Sequence, residues 1–162
     1  MQSKTPLPAP QQIREMLEML LGRDVEMEIG ADMPSRAADS RLVVGVFITE
    51  PIRNLAALWV SDLAISATIG AAIGLMPAGA AEEAAELGLT PMLADNVREA
   101  VNVTGSLLNA EGAPHVILDE VYLPGERLPK DVDPMVSAYV PRHNLKIKIP
   151  GYPEGILSIA VP

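Results

Sequence analysis

The sequence predicts an α+β domain in which long central helices pack on a mainly antiparallel sheet. Three observations lead there. Helical patterns cluster in the middle of the chain, with strand patterns before and after them, rather than alternating one for one as a doubly wound sheet requires. The last two strand candidates flank the turn Pro150-Gly151-Tyr152-Pro153, as in a hairpin. At 162 residues, of which 49% are hydrophobic, the chain has the length and composition to bury one core without disulfides or a structural metal.

Taken in order, residues 1–10 hold three prolines among polar residues and are expected to form a disordered lead-in outside the fold, leaving 11–162 as a single domain. From Gln11 to Leu21 the residues Ile13, Met16, Leu17, Leu20 and Leu21 recur at helical spacing, and Gly22 is a stop signal. Val25, Met27 and Ile29 then alternate with Glu26 and Glu28, the period of a half-buried strand. A turn rich in Pro, Ser and Asp separates it from a second, more buried strand over Arg41 to Thr49.

The stretch from Ile52 to Met76 is the most apolar, and no charge occurs from Leu63 to Ala81. Its length admits a membrane span, and Gly70 with Gly74 has the small-xxx-small spacing of packed helices. Ser61 and Asp62 interrupt the run, Ala and Gly outnumber Leu and Ile, and Pro77 ends it before any basic flank. A long core helix with small residues for close packing is therefore expected here. Glu82, Glu83 and Glu86 then mark a solvated face on a short helix closed by Gly88.

The next helix, within Thr90 to Asn109, opens with Thr90 as N-cap and Pro91 at its first position. Leu93, Val97, Ala100, Val101, Thr104, Leu107 and Leu108 form one stripe, and Asp95, Glu99, Asn102 and Ser106 the opposite one. Strands are expected over His115 to Leu123, Asn144 to Ile149 and Gly155 to Val161.

Composition removes several functions. A formal charge of −9 repels a phosphate backbone or an anionic leaflet, and aromatic residues at 3% leave no stacking platform for single strands, so neither nucleic acid nor membrane is an expected partner. A partner with a basic rim is compatible. Zero cysteines exclude disulfides and thiolate chemistry. Met1 to Pro10 lacks the apolar core of a secretory signal, so a cytoplasmic location is expected. There is no phosphate loop, nucleophile elbow or histidine pair at metal spacing, and no metal site is expected. His115, beside a strand, and His143, in a basic loop with Arg142, read as structural or exposed. Asn102-Val103-Thr104 fits a glycosylation acceptor but lies in mid-helix.

What remains is Asp95, Glu99 and Asn102 at i, i+4 and i+7, which 3.6 residues per turn brings onto one stripe about two turns long. A carboxylate and an amide then project side by side. The spacing alone is equally that of a solvated helix face.

In these residues the chain resembles the CheC, CheX and FliY family of response-regulator phosphatases, whose motif is Asp or Ser, three residues, Glu, two residues, Asn, with a Pro farther on. The order of elements from about residue 11 is also similar to that of CheX. Val101 stands where the family has Gly before the Asn, Gly105 falls one position early, and Pro124 comes one residue sooner. The first helix has Glu15 and Glu18 but no Asn, so the resemblance implies a single, CheX-like site and a possible homodimer. It implies hydrolysis of the aspartyl phosphate of a phosphorylated receiver domain, in chemotaxis or related two-component signalling. Glu99 and Asn102 would be catalytic and Asp95 would sit at the edge of the contact. The Mg²⁺ would be held by the receiver, with no cofactor of the chain's own. A non-catalytic receiver-binding or adaptor module on the same fold is the alternative.

Overall fold

The computed structural model describes residues 4–34 and 41–162. Helix α1 (Pro10–Leu21) leads to strand β1 (Glu26–Ile29), and β2 (Leu42–Glu50) and β3 (Leu55–Asp62) follow. Helices α2 (Leu63–Ile73), α3 (Ala78–Leu87) and α4 (Pro91–Thr104) are consecutive, and β4 (His115–Tyr122), β5 (Arg142–Lys148) and β6 (Gly155–Ala160) close the chain. All six strands join one antiparallel sheet in the order β1-β5-β6-β3-β2-β4. The expected fold class is the observed one. The turn expected between the first two strands lies partly outside the described residues.

Helix α1 starts where the Gln12 side chain accepts a hydrogen bond from the Ala9 amide, and it ends at Gly22, whose φ of 64° suits a residue without Cβ. Residues 4–9, expected outside the fold, instead run against it. Pro8 is buried and Leu7 packs on the main core, because an apolar residue beside a hydrophobic surface gains more by covering it than by staying solvated. Edge strand β1 owes its register partly to charge, with Glu26 opposite Lys148 and Glu28 opposite Lys146.

The long helix expected over residues 52–76 is the main correction. A tight turn, in which the Thr49 amide donates to the Asn54 carbonyl and the Arg53 amide to the Thr49 carbonyl, pairs β2 with β3, and the helix begins only after Asp62. Asp62 is the N-cap of α2, accepting from the Ile65 amide at 2.9 Å, and its other carboxylate oxygen accepts from the Ile156 amide of β6 at 2.9 Å. The sequence hid β3 because the strand is buried on both faces. A doubly buried strand is a continuous apolar run, which periodicity cannot tell from a buried helix. No helix among the described residues is long and apolar enough to cross a membrane.

The two faces of the sheet are covered differently. Phe47, Ala57, Trp59, Leu145, Leu157 and Ile159 meet Ile13 and Leu17 of α1, Ile65 and Ile69 of α2, and Val97 and Val101 of α4 in the main core. On the opposite face, Val44, Val46, Leu58 and Val60 are covered by Val132 and Val136 of the long connection between β4 and β5, where Asp133–Ser137 forms a short 3-10 helix. Inside the main core the Trp59 indole donates to Ser61 at 2.7 Å, and Ser61 bonds Ser66, whose hydroxyl donates to the Asp62 carbonyl, so the buried polar atoms at the start of α2 are satisfied.

Candidate functional site

Helix α4 carries the predicted site and begins as the sequence requires. The Thr90 hydroxyl accepts from the Leu93 amide at 3.3 Å, and Pro91 fills the first helical position. Leu93, Ala94, Val97, Ala100, Val101 and Thr104 are buried, and the Thr104 hydroxyl donates to the Ala100 carbonyl at 2.9 Å. Beyond Thr104 the chain tightens into a 3-10 turn over Gly105–Leu107, so the α-helix stops short of Asn109.

Four close approaches fix the position of this helix. Val101 lies over Gly45 of β2, where a Cβ would overlap its Cγ1. Gly105 lies over Phe47, with room for a Cβ only at 3.4 Å from the ring. Leu93 lies against Gly70 of α2, where a Cβ would stand 2.8 Å from the Leu93 carbonyl oxygen, and the Asn96 amide donates to the Gly70 carbonyl at 2.9 Å. Gly70 of the small-xxx-small pair therefore works within the domain, letting α2 and α4 touch backbone to backbone. At the far end the Asn109 side chain donates to the Val116 carbonyl and accepts from the Val116 amide, tying the exit of α4 to β4.

On the opposite side Asp95, Glu99 and Asn102 are all exposed along one stripe. They are not equivalent. Asp95 is paired with Arg98 at 3.1 Å, whereas among the described residues the side chains of Glu99 and Asn102 have no hydrogen-bond partner. A free carboxylate and a free amide one turn apart, on a helix locked by its buried face, are pre-positioned for an external partner. The carboxylate accepts from a cation, and the amide offers a donor and an acceptor together.

Val101, where the family motif has Gly, points into the sheet and not toward a partner, because Gly45 opposite supplies the missing volume. Sequence reasoning missed Asn96, Arg98 and Asn109. Each bonds its own fold, and only the pairing partner distinguishes such a residue from an ordinary polar position. His143 lies on β5 and not in a loop, because the strand begins at Arg142, and His115 opens β4 with its Nε2 3.9 Å from Glu50. Among the described residues no group of three or more His, Cys, Asp or Glu is placed to hold a metal ion.

No protein-family model matches this sequence, and no curated protein matches it. Solved structures do match. FliY from Thermotoga maritima overlays with a TM-score of 0.56 at 18% identity, covering 92% of this chain and 82% of that one. A chain of the FliM–SpeE complex from H. pylori overlays with a TM-score of 0.59 at 11% identity, covering 94% of this chain and 80% of that one. With its antiparallel six-stranded sheet and four helices, the chain has the fold of the CheC, CheX and FliY family.

Proposed function

We propose that this domain binds the phosphorylated receiver domain of a response regulator through the exposed face of α4 and promotes hydrolysis of its aspartyl phosphate. The observation that carries the reading is the exposure of Glu99 and Asn102 side by side, without side-chain partners among the described residues, while Asp95 is occupied by Arg98.

The chemistry asked of this chain is small. In-line attack on phosphorus needs a water held on the axis opposite the leaving carboxylate, and the receiver's own Mg²⁺ and Lys would stabilise the transferring group. Asn102 would enter the receiver site and orient the water through its carbonyl oxygen, with its NH₂ free to bond a receiver acceptor. Glu99 would pair with the receiver Lys and fix the register of the two proteins. Asp95, held by Arg98, would position the edge of the contact. The acidic balance of the chain favours encounter with a cationic rim.

The test is phosphate loss from a receiver in the presence of the wild type and two variants. Asn102→Ala should abolish the acceleration and leave binding intact, and Glu99→Ala should weaken both. Full activity of Asn102→Ala would overturn the mechanism. The overlay on a chain of a FliM complex supports a second reading, a receiver-binding adaptor without catalysis, in which the wild type binds the receiver but leaves its phosphate lifetime unchanged.

A further inference from the structure

Beside the α4 stripe lies a groove of about 580 Å³ between α1 and α4. Met16, Met19 and Leu20 form one wall, Val103 and Leu107 the other, and Glu15 stands on the rim. Met19 is 88% exposed and extends the apolar wall of Met16 and Leu20 to the surface. The rest of the α1 apolar face is accounted for, since Ile13, Leu17 and Leu21 are buried in the main core.

The groove is continuous with the candidate site. Val103, four residues beyond Glu99 on α4, lines the groove, and Ser106 lines it from the 3-10 turn that follows, so a body seated on Glu99 and Asn102 reaches the groove mouth. The one charge among the lining residues is Glu15, with no Lys or Arg there, and Glu99 stands one turn before Val103, while Arg98 is taken by Asp95. Met-rich walls accept varied apolar side chains because the thioether is flexible and polarisable.

We propose that the α1–α4 groove is the docking half of the interface. It would take an apolar side chain, flanked by Lys or Arg, from a helix of the same receiver-bearing protein whose phosphoryl site meets Asn102. This rests on the receiver-binding reading above and divides its labour: the groove supplies affinity, and Asn102 supplies chemistry. An apolar anchor within a charged rim is the usual anatomy of a binding hot spot.

The experiment measures binding of a panel of CheY-type receiver domains, phosphorylated with acetyl phosphate in Mg²⁺, alongside their phosphate loss. Met19→Asp and Glu15→Lys should each raise Kd about tenfold, with the Glu15→Lys effect shrinking at high salt, while Asn102→Ala should keep Kd within about twofold and stop phosphate loss. Both substituted side chains are exposed, so unchanged thermal midpoints are expected and establish that the surface is what was altered. Unchanged Kd in both groove variants overturns the proposal, as does failure of every receiver to bind the wild type. A change confined to the sedimentation of the chain alone also overturns it, since the occupant is then a second copy. Binding through the groove without any accelerated phosphate loss leaves the groove standing and removes the phosphatase reading.

Discussion

Val101 of α4 fills the space above Gly45 of β2, and neither residue is explained without the other. Val101 is fully buried, and a Cβ at position 45 would overlap its Cγ1. Because the partner atom belongs to a helix held at three other points, it cannot swing aside. Gly45→Ala should therefore cost about 1–3 kcal/mol in denaturant unfolding, as overpacking typically does. Val101→Ala in the same chain should recover much of that loss, and the double-mutant cycle should show a coupling of about 1 kcal/mol or more. Strict additivity would contradict the contact.

Gly70 makes a parallel case in which two effects oppose. Ala at a helical position gains about 1 kcal/mol of propensity over Gly. Here the added Cβ would stand 2.8 Å from the Leu93 carbonyl oxygen, a backbone atom, so α4 must shift and the Asn96–Gly70 hydrogen bond must lengthen. Gly70→Ala should be net destabilising and should reduce receiver binding through displacement of Glu99 and Asn102. A rise in the thermal midpoint would refute this.

Asp62 should give the stability curve a pH-dependent component. Burial raises its carboxyl pKa above the ordinary 3.8, outweighing the lowering by the hydrogen bonds from the Ile65 and Ile156 amides. A carboxyl raised in the folded state penalises folding when ionised and ceases to do so when protonated in both states. The penalty is thus present above the raised folded pKa and vanishes as pH falls to the unfolded value. Compared with Asp62→Asn, which does not titrate, the wild type should gain relative stability as pH drops from neutral to below 3.8. A difference that stays flat across that window would show that the two states share one pKa.

Asp62→Ala at neutral pH should behave differently, since it removes both the cap of α2 and the acceptor for Ile156. A loss of about 1–3 kcal/mol is expected from an uncapped helix plus a stranded backbone donor. Calorimetric midpoints of the two variants would separate charge from hydrogen bonding.

The Asp95–Arg98 pair should contribute little to stability. Asp95 is mostly exposed, and surface ion pairs yield between about 0 and 1 kcal/mol. Arg98→Ala should leave unfolding within about 0.5 kcal/mol of wild type while releasing the Asp95 carboxylate. If Asp95 only positions the contact, the dephosphorylation rate should shift by less than about tenfold, against its abolition in Asn102→Ala. Loss of activity equal to that of Asn102→Ala would give Asp95 a chemical role.

The sequence by itself determined whatever depends on near neighbours. Thr90 and Pro91 place the start of α4, Gly22 the end of α1, and the 3.6-residue period assigns Asp95, Glu99 and Asn102 to the outward stripe, because capping and amphipathicity are local. The tertiary structure alone decided the rest. It turned residues 55–62 into a strand, since a segment covered on both sides carries no period to read, and it made Asp62 a junction between α2 and Ile156 of β6, 94 residues farther along the chain. It also fixed where the stripe faces: Val101 over Gly45 and Leu93 against Gly70 seat α4 so that Glu99 and Asn102, whose side chains have no partner among the described residues, are left to meet another molecule.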